Sequence, residues 1–266
     1  MAQKKIAIIG GGNLGSSIAQ GLIESGFILP SDITITKRNI ETLSRFGDQG
    51  VHIETDNVKA VQQAEVVVVA LKPYNVRDVL EQIKPALRPE KHILISVVTG
   101  VWIHQIEEIT GIKMPLFRAM PNTSIAIRES MTCICHKNAS IGQVEWVTDL
   151  FNHLGVSVSI DERLMDAATV LGACGIAYAL RFIRANIQGG IEIGFDARTA
   201  ALIASQTIKG AAELLIKGNR HPEEEIDKVT TPKGCTIAGL NEMEHQGFSS
   251  SLIKGITVSY NKIVKG

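Results

Sequence analysis

Hydrophobic residues in the first 160 positions form short, nearly continuous runs separated by amphipathic stretches. The runs rich in valine, isoleucine and threonine predict strands: KIAIIG, DITITK, AEVVVVAL, HILISVV, PLFRAM, SMTCICH and GVSVSI. Stretches with helical periodicity, such as Leu14 to Ser25 and Val76 to Ile83, separate several of these runs. Buried strands that alternate with helices predict an α/β fold with a parallel sheet.

After the last of these strands only helical periodicity continues, interrupted at GGIEIGFD, KGNRHPEEE, TTPKGC and QGFSSS. Pro222 suits the first position of a helix, with Glu223–Glu225 in its positive first turn, and Ser249 suits the cap of the last helix. We therefore predict two domains. Residues 1–160 form the α/β domain and residues 161–266 form an all-α domain.

Composition and charge exclude several classes of protein. Lys and Arg total 27 residues and Asp and Glu also total 27, so no net charge attracts nucleic acid or an anionic membrane. The apolar runs are of strand length, which predicts no membrane-spanning segment. Cys133, Cys135, Cys174 and Cys235 fit no disulfide framework for a chain this long, which predicts a reducing, cytoplasmic location. Cys133, Cys135 and His136 lack a second ligand cluster, so we interpret them as strand residues and predict no metal site.

A glycine-rich turn, Gly10-x-Gly12-x-x-Gly15, follows the first predicted strand and opens a helix. The first glycine permits a tight turn, the second lets a pyrophosphate approach the backbone, and the third lets helix and strand pack closely. The start of this helix, at Asn13 and Leu14, would face the anion with its N–H groups. Strand, turn and helix stand in the order of the dinucleotide fingerprint, so we predict a Rossmann-type, doubly wound, dinucleotide-binding domain.

The end of the second predicted strand indicates which dinucleotide binds. An NAD site usually presents Asp or Glu there, about twenty residues after the fingerprint. This chain has Lys37, Arg38 and Asn39 instead. A basic pair can hold a 2′-phosphate, so we predict that Arg38 binds NADP(H), with NAD(H) as the alternative cofactor. A solvated surface turn is the other interpretation of the pair.

Two loops follow predicted strands at the end where a doubly wound sheet binds its ligand. Lys72-Pro73 follows AEVVVVAL, and Met120-Pro121-Asn122-Thr123 begins where PLFRAM ends. The carboxyl ends of such strands line the ligand crevice, so we expect both loops to face the nicotinamide. Ordinary proline-containing turns are the alternative interpretation.

Taken together, these motifs resemble the pyrroline-5-carboxylate reductase family over essentially the whole chain. The shared features include a T-x-N before a helix (Thr55, Asn57), the lysine–proline loop and R-x-M-P-N-T from Arg118. The most specific is VTTPKGCTIAGL at residues 229–240, which resembles the family signature V-T-S-P-G-G-x-T-I-x-G-L. Lys233 departs from that signature because the family usually has glycine there.

A second departure is LGACGIAY at residues 171–178, where the family more often has a sequence like L-S-G-S-G-P-A-Y. The resemblance nevertheless implies an activity. NAD(P)H would deliver hydride to the C=N carbon of 1-pyrroline-5-carboxylate, giving L-proline. It also implies that Asn57, Lys72 and Pro73 contact the cofactor and that Met120 contacts the substrate. The expected assembly is a homodimer interlocked through the helical domains, assembled further into a ring of dimers.

The segment TTPKGCT is expected to lead into a helix whose free N–H groups, around Gly234, Cys235 and Thr236, suit the substrate carboxylate. The Thr236 hydroxyl suits a hydrogen bond to the ring nitrogen, which makes it the candidate catalytic residue. Hydride transfer to an imine needs no covalent intermediate, so we interpret Cys235 as a small residue of the pocket. A turn that merely caps a helix is the alternative interpretation.

Two other functions stay open. The β-hydroxyacid dehydrogenases carry a signature resembling G-x-x-G-x-G-x-x-x-K-x-x-x-N. This chain has Gly172 and Gly175, but Ala177 replaces the third glycine, Arg181 replaces the lysine and Asn186 stands one place late. An arginine cannot exchange a proton near neutral pH. The second alternative is a non-catalytic sensor that binds NADP(H).

Overall fold

The computed structural model describes residues 4–265 of the chain. The chain divides into two compact units, Met1–Cys174 and Gly175–Gly266. The last strand ends at Ser159, and the helical segment that follows belongs to the first unit as far as Cys174. The domain boundary after residue 160 stays a prediction.

Within the described residues of the first unit, eight strands form one sheet. The strands are β1 (Ile6–Ile9), β2 (Ile33–Thr36), β3 (His52–Glu54), β4 (Val66–Val69), β5 (Ile93–Ser96), β6 (Leu116–Met120), β7 (Ser130–Lys137) and β8 (Gly155–Ser159). Their order across the sheet is β3-β2-β1-β4-β5-β6-β7-β8. The central strands β1 and β4 are buried over their whole length, as their continuous apolar runs require.

The sheet differs from the sequence-based expectation at two places. Strands β6 and β7 pair antiparallel, whereas every other neighbouring pair is parallel. The connection between them is a short loop with one 3₁₀ turn, Thr123–Ile127, which is too short for the crossover that a parallel pair needs. Strand β3 was not predicted because it has only three residues, none of them fully buried.

Helices cover both faces of the sheet, which confirms the predicted doubly wound α/β architecture. The helices of the first unit are α1 (Asn13–Glu24), α2 (Ser44–Asp48), α3 (Asn57–Gln63), α4 (Val76–Ile83), α5 (Ile103–Thr110), α6 (Ile141–Asn152) and α7 (Met165–Ala168), and α7 runs into a π-helical turn, Thr169–Cys174. One buried cluster packs α1, α2 and α6 on one face, and a second packs α3, α4 and α5 on the other. The prediction for α4 is confirmed at both ends.

The second unit consists of helices. They are α8 (Gly175–Glu192), α9 (Ala197–Gly218), α10 (Pro222–Val229), α11 (Cys235–His245) and α12 (Phe248–Val264). Pro222 occupies the first position of α10, as predicted. The predicted cap of α12 is wrong, because Gly247 in a left-handed conformation (φ 80°) precedes this helix. Ser249 lies inside the first turn and its hydroxyl donates to Glu244 Oε1 at 2.6 Å.

The second unit leaves most of its apolar side chains exposed in the single chain. Within residues 175–265 only Ala200 and Ala204 are buried. Large apolar side chains such as Leu202 and Ile216 are 70% and 75% exposed. The helical stretch Glu162–Glu192 is long and apolar enough to cross a membrane, by length and composition alone. Many exposed apolar side chains on one set of helices are typical of an interaction surface. The absence of a membrane partner stays a prediction.

Candidate functional site

A cleft of about 990 Å³ lies at the carboxyl ends of strands β1, β2, β4, β5 and β6. All the predicted cofactor residues except Gly15 line this cleft, and Met120 lines it too: Gly10, Gly12, Asn13, Leu14, Arg38, Asn57, Lys72 and Pro73. The carboxyl edge of a doubly wound sheet is where ligands of this fold bind. The structure therefore brings the predicted cofactor residues and Met120 together.

The glycine turn is anchored to the neighbouring strand. The Gly11 N–H donates to the Thr36 carbonyl oxygen at 2.7 Å, and the Gly10 N–H donates to Thr36 Oγ1 at 3.3 Å. Gly10 has φ 111°, a conformation that side-chain-bearing residues rarely adopt, and an added methyl group would overlap the Ala70 carbonyl oxygen. Gly15 lies under the turn, where it packs rather than lining the cleft.

The start of α1 has the properties of an anion site. Its N-cap is Gly12, no side chain caps the helix, and its first turn carries no acidic residue. The N–H groups of the first turn are therefore available to a ligand. A methyl group added at Gly12 would meet no protein atom within 4 Å, so open space lies in front of the turn. These features fit a dinucleotide pyrophosphate.

Basic side chains line the cleft beside the end of β2. Lys37 and Arg38 both line it, and neither forms an ion pair with another residue in the described part of the chain. Asn39 instead accepts the Glu41 N–H at 3.1 Å through Oδ1 and so caps a local 3₁₀ turn. The arrangement leaves Arg38 and Lys37 available for a phosphate group.

Side chains at the start of α3 and on α4 also line the cleft. Asn57 Nδ2 donates to Gln82 Oε1 at 2.9 Å, and both residues line the cleft. Asp78, one helical turn before Gln82, lines it as well. Sequence reasoning missed Asp78 and Gln82, although a signal was present. They share the polar face of α4, opposite the buried Leu80 and Ile83.

The other end of the cleft is formed by residues that follow β5 and end β6. Thr99 Oγ1 lies 3.9 Å from Met120 Sδ, and both line the cleft. Asn122 Nδ2 donates to the Gly172 carbonyl oxygen at 3.3 Å, which ties the loop after β6 to the π-helical turn. Ala173 of that turn also lines the cleft, and no local sequence signal indicates it.

The predicted substrate residues of the second unit lie at the start of α11. Gly234 is the N-cap, without a capping side chain, and Cys235 and Thr236 are the first two helical residues. A methyl group at Gly234 would stand 2.6 Å from Thr231 Oγ1. Within the described residues the Thr236 hydroxyl has no hydrogen-bond partner, although this residue is half-buried. Both the helix N–H groups and this hydroxyl are thus available to a ligand.

Lys233, the departure noted in the sequence, has a left-handed backbone conformation with φ 61°. This conformation favours glycine, because a Cβ atom crowds the following carbonyl oxygen. The lysine therefore occupies a position whose geometry suits the glycine of the family signature. The chain nevertheless continues directly from Lys233 into Gly234, the N-cap of α11.

The cysteines of β7 are ordinary strand residues. Burial raises the pKa of the Cys133 thiol and raises that of Cys135 to about 11. Both thiols are therefore protonated near neutral pH and unsuited to act as nucleophiles. Among residues 4–265 no three His, Cys, Asp or Glu side chains are grouped as metal ligands.

Comparison with known proteins extends these observations. A family model described as pyrroline-5-carboxylate reductase dimerisation matches residues 162–265. A second, described as NADP oxidoreductase coenzyme F420-dependent, matches residues 5–100. Among solved structures, a pyrroline carboxylate reductase of Plasmodium falciparum with NADP bound has a TM-score of 0.90 and 27% identity, and the match covers 99% of this chain and 98% of that one. A pyrroline-5-carboxylate reductase of Coxiella burnetii has a TM-score of 0.91 and 28% identity with the same coverage.

Curated relatives carry the same name at higher identity. Pyrroline-5-carboxylate reductase 1 of Dictyostelium discoideum is 46% identical over 97% of this chain, which spans about half (49%) of that relative's length. Pyrroline-5-carboxylate reductase 2 of the same organism is 42% identical, over 98% of this chain and 93% of the relative. Because a reductase of this name is 42% identical over nearly the whole length of both chains, this chain belongs to the pyrroline-5-carboxylate reductase family.

Proposed function

We propose that this protein reduces 1-pyrroline-5-carboxylate to L-proline with NADP(H) as the hydride donor, the last step of proline biosynthesis. The observation that carries the proposal is the 42% identity with a reductase of this name over 98% of the chain. This match favours an NAD(P)H-dependent imine reductase over a β-hydroxyacid dehydrogenase or a non-catalytic sensor.

The cofactor site is the cleft of the first unit. The N–H groups of Asn13 and Leu14, at the uncapped start of α1, bind the pyrophosphate, and Arg38 with Lys37 binds the 2′-phosphate. A related reductase with NADP bound supports NADP(H) as the cofactor, and NADH stays the alternative. The residues present fit the dinucleotide, which when bound supplies the hydride. Lys72, Pro73 and Asn57 complete the binding surface.

The substrate site includes the start of α11 in the second unit. Its uncapped N–H groups around Gly234 and Cys235 bind the substrate carboxylate, because a helix N-terminus stabilises an anion without a dedicated arginine. The Thr236 hydroxyl hydrogen-bonds the ring nitrogen and orients it. A protonated imine needs no further acid: its carbon accepts the hydride, and the nitrogen keeps its proton as the C=N bond becomes a single bond. Catalysis by this chain is therefore mainly positioning.

The protein acts as a homodimer through its helical region. The dimerisation family model over residues 162–265 supports this assembly, as do the exposed apolar side chains of α9. The proposal also includes the assembly of these dimers into a ring and a cytoplasmic location of the protein. The four cysteines are all free thiols, which suits a reducing compartment. The partners are then a small-molecule substrate and further copies of the chain, without nucleic acid or a membrane.

One assay tests the reaction and the cofactor together. Purified protein is given racemic 1-pyrroline-5-carboxylate with NADPH or NADH, loss of nicotinamide absorbance is followed, and the product is identified by chiral chromatography. L-Proline formed faster with NADPH supports the proposal. Cofactor binding without hydride transfer to this imine would reject the proposed substrate. Light scattering on the same sample measures the size of the assembly.

A further inference from the structure

Arg118 is a buried arginine behind the cleft, two residues before Met120 on β6. Its side chain is 2% exposed, and Nη1 donates to Glu162 Oε1 at 3.0 Å. Its Nε and Nη2 atoms have no hydrogen-bond partner among the described residues. A buried ion pair usually contributes little net stability, because desolvation of the charges offsets their attraction. The pair therefore calls for an explanation other than stability.

Glu162 joins Arg118 to a third segment. The same oxygen, Oε1, accepts the Ile103 N–H at the start of α5 at 2.7 Å. The guanidinium carbon of Arg118 lies 5.4 Å from the ring centroid of Trp102, the N-cap of α5, which is within cation–π range. One carboxylate oxygen thus holds together β6, the start of α5 and the segment that follows β8.

A second tie holds the chain just beyond Met120. Asn122 is 7% exposed, its N–H donates to Ser130 Oγ at 3.1 Å, and Nδ2 donates to the Gly172 carbonyl oxygen at 3.3 Å. The end of β6 is therefore fixed on both sides of Met120. Met120 itself lines the cleft beside Thr99, at the end away from Arg38. Strand order supports this assignment, because β5 and β6 lie on the opposite side of β1 from β2.

We infer that Arg118 and Glu162 are positioning residues for hydride transfer. Their ion pair fixes the end of β6 and thereby sets where Met120 meets the nicotinamide end of the cleft. Neither residue lines the cleft, so both act through Met120. The inference rests on the proposed function. Because a displacement of about 1 Å at the reacting atoms can slow a reaction about 100-fold, a small shift of Met120 is sufficient to be measured.

Variants of the pair separate charge from packing. Glu162→Gln keeps an oxygen acceptor for Arg118 and for the Ile103 N–H but removes the negative charge. Arg118→Lys keeps the positive charge and loses the planar fork, and Arg118→Met removes both.

The matched control is Glu65→Gln. Glu65 pairs with Lys4 at 3.4 Å and accepts the Lys5 N–H at 3.2 Å, so it too joins an ion pair to a backbone donor. It precedes β4, at the amino-terminal edge of the sheet away from the cleft.

The expected result is a loss of kcat without a loss of cofactor binding. Arg118→Met should lower kcat about 10-fold or more, with a larger isotope effect from 4-deuterated NADPH because hydride transfer becomes the slow step. The Kd for NADPH should stay within about twofold, since the pyrophosphate and 2′-phosphate contacts are untouched. Arg118→Lys should restore part of the rate, and Glu65→Gln should match the unsubstituted protein.

Fluorescence of bound NADPH gives a readout that does not depend on turnover. Arg118→Lys and Glu162→Gln should shift the nicotinamide emission towards that of free NADPH, whereas Glu65→Gln should leave it unchanged.

Unchanged kcat and unchanged emission in Arg118→Lys and Glu162→Gln would overturn the inference. A kcat that falls only in proportion to NADPH affinity would overturn it too. These milder variants carry the test if Arg118→Met fails to fold. If the unsubstituted protein makes no L-proline, the proposed function fails and the emission still decides the positioning role.

Discussion

Gly15 packs directly against the carbonyl oxygen of Gly10, so closely that a methyl group at position 15 would overlap that oxygen. This contact lets α1 pack closely against the turn that follows β1. Gly15 therefore acts through packing, whereas Gly12 faces open space in the cleft. Two glycines of one motif have different physical roles, and substitutions can separate them.

Gly15→Ala should lower both the melting temperature and the affinity for NADPH. The overlapping atom is backbone and cannot move aside, so the helix must shift away from the turn. Gly12→Ala should weaken NADPH binding about 10-fold or more with little change in melting temperature, because its methyl group occupies the space of the pyrophosphate. Calorimetric titration and thermal unfolding measure the two effects. Gly142→Ala, in an open position on α6, is the control and should change neither property much.

Arg38→Ala should weaken NADPH binding selectively. Loss of one charge-assisted contact to a phosphate corresponds to about 1.5–3 kcal/mol, or roughly a 10- to 150-fold rise in Kd. The Kd for NADH should change little, because NADH lacks the 2′-phosphate. Arg45→Ala removes an exposed arginine outside the cleft and serves as the control. Equal losses for both dinucleotides would reject the role of Arg38 in recognising the 2′-phosphate.

Thr236→Ala should lower kcat/KM for the imine by about 10-fold or more, because a hydroxyl hydrogen bond to the reacting ring is lost. The Kd for NADPH should not change, since Thr236 does not line the cofactor cleft. Thr236→Ser should retain most of the activity. Thr199→Ala provides the control, because Thr199 is also a first-turn threonine, on α9. Unchanged kinetics in Thr236→Ala would leave this residue with a capping role alone.

Lys233 gives a test of backbone strain. Lys233→Gly should be more stable than Lys233→Ala by about 0.5–1 kcal/mol, because only glycine accepts φ 61° without crowding its Cβ atom. Both substitutions remove the same charge, so their difference isolates the backbone contribution. Urea unfolding at one fixed protein concentration measures it. A glycine variant less stable than the alanine variant would contradict the assignment of strain to this residue.

The cofactor half of the cleft could be predicted because its signals are local. Glycine spacing places Gly10, Gly12 and Gly15 between a strand and a helix, and strand ends place Arg38 and Lys72 at the same edge of the sheet. Each of these inferences needs only a short stretch of sequence. The clustering of the cofactor residues in one cleft follows from the sheet topology that the same pattern predicts.

Features that depend on tertiary packing gave no such signal. Arg118 and Glu162 are 44 residues apart, and nothing in either neighbourhood predicts their ion pair. Strand β3 was missed because its side chains are only partly buried, so they need not form an apolar run. Ala173 reaches the cleft through a π-helical turn, a local distortion that helical periodicity does not reveal.

We expect His92 to make the free energy of unfolding depend on pH. The side chain is 1% exposed, Nδ1 accepts the Arg88 N–H at 2.8 Å, and Nε2 lies 3.1 Å from the Val61 carbonyl oxygen. Because Nδ1 must accept, Nε2 carries the proton and the imidazole is neutral. Burial, with the nearby charge of Lys91, lowers the pKa of His92 below its ordinary value of 6.5. Protonation of the folded protein would break the bond to Arg88.

His92→Asn should remove this pH dependence. As pH falls below about 6.5, the unfolded chain binds a proton that the folded chain does not, so the free energy of unfolding decreases. This contribution is fully present above the unfolded pKa and is lost as pH falls through the lower pKa of the folded state. The asparagine side chain would keep an acceptor for the Arg88 N–H without titrating. Urea-unfolding midpoints of the two proteins are measured between about pH 8 and pH 5 at one fixed protein concentration. The two midpoints should converge as pH falls, because only the unsubstituted protein loses this stabilisation. Midpoints that stay parallel over this range would show that His92 has the same pKa folded and unfolded.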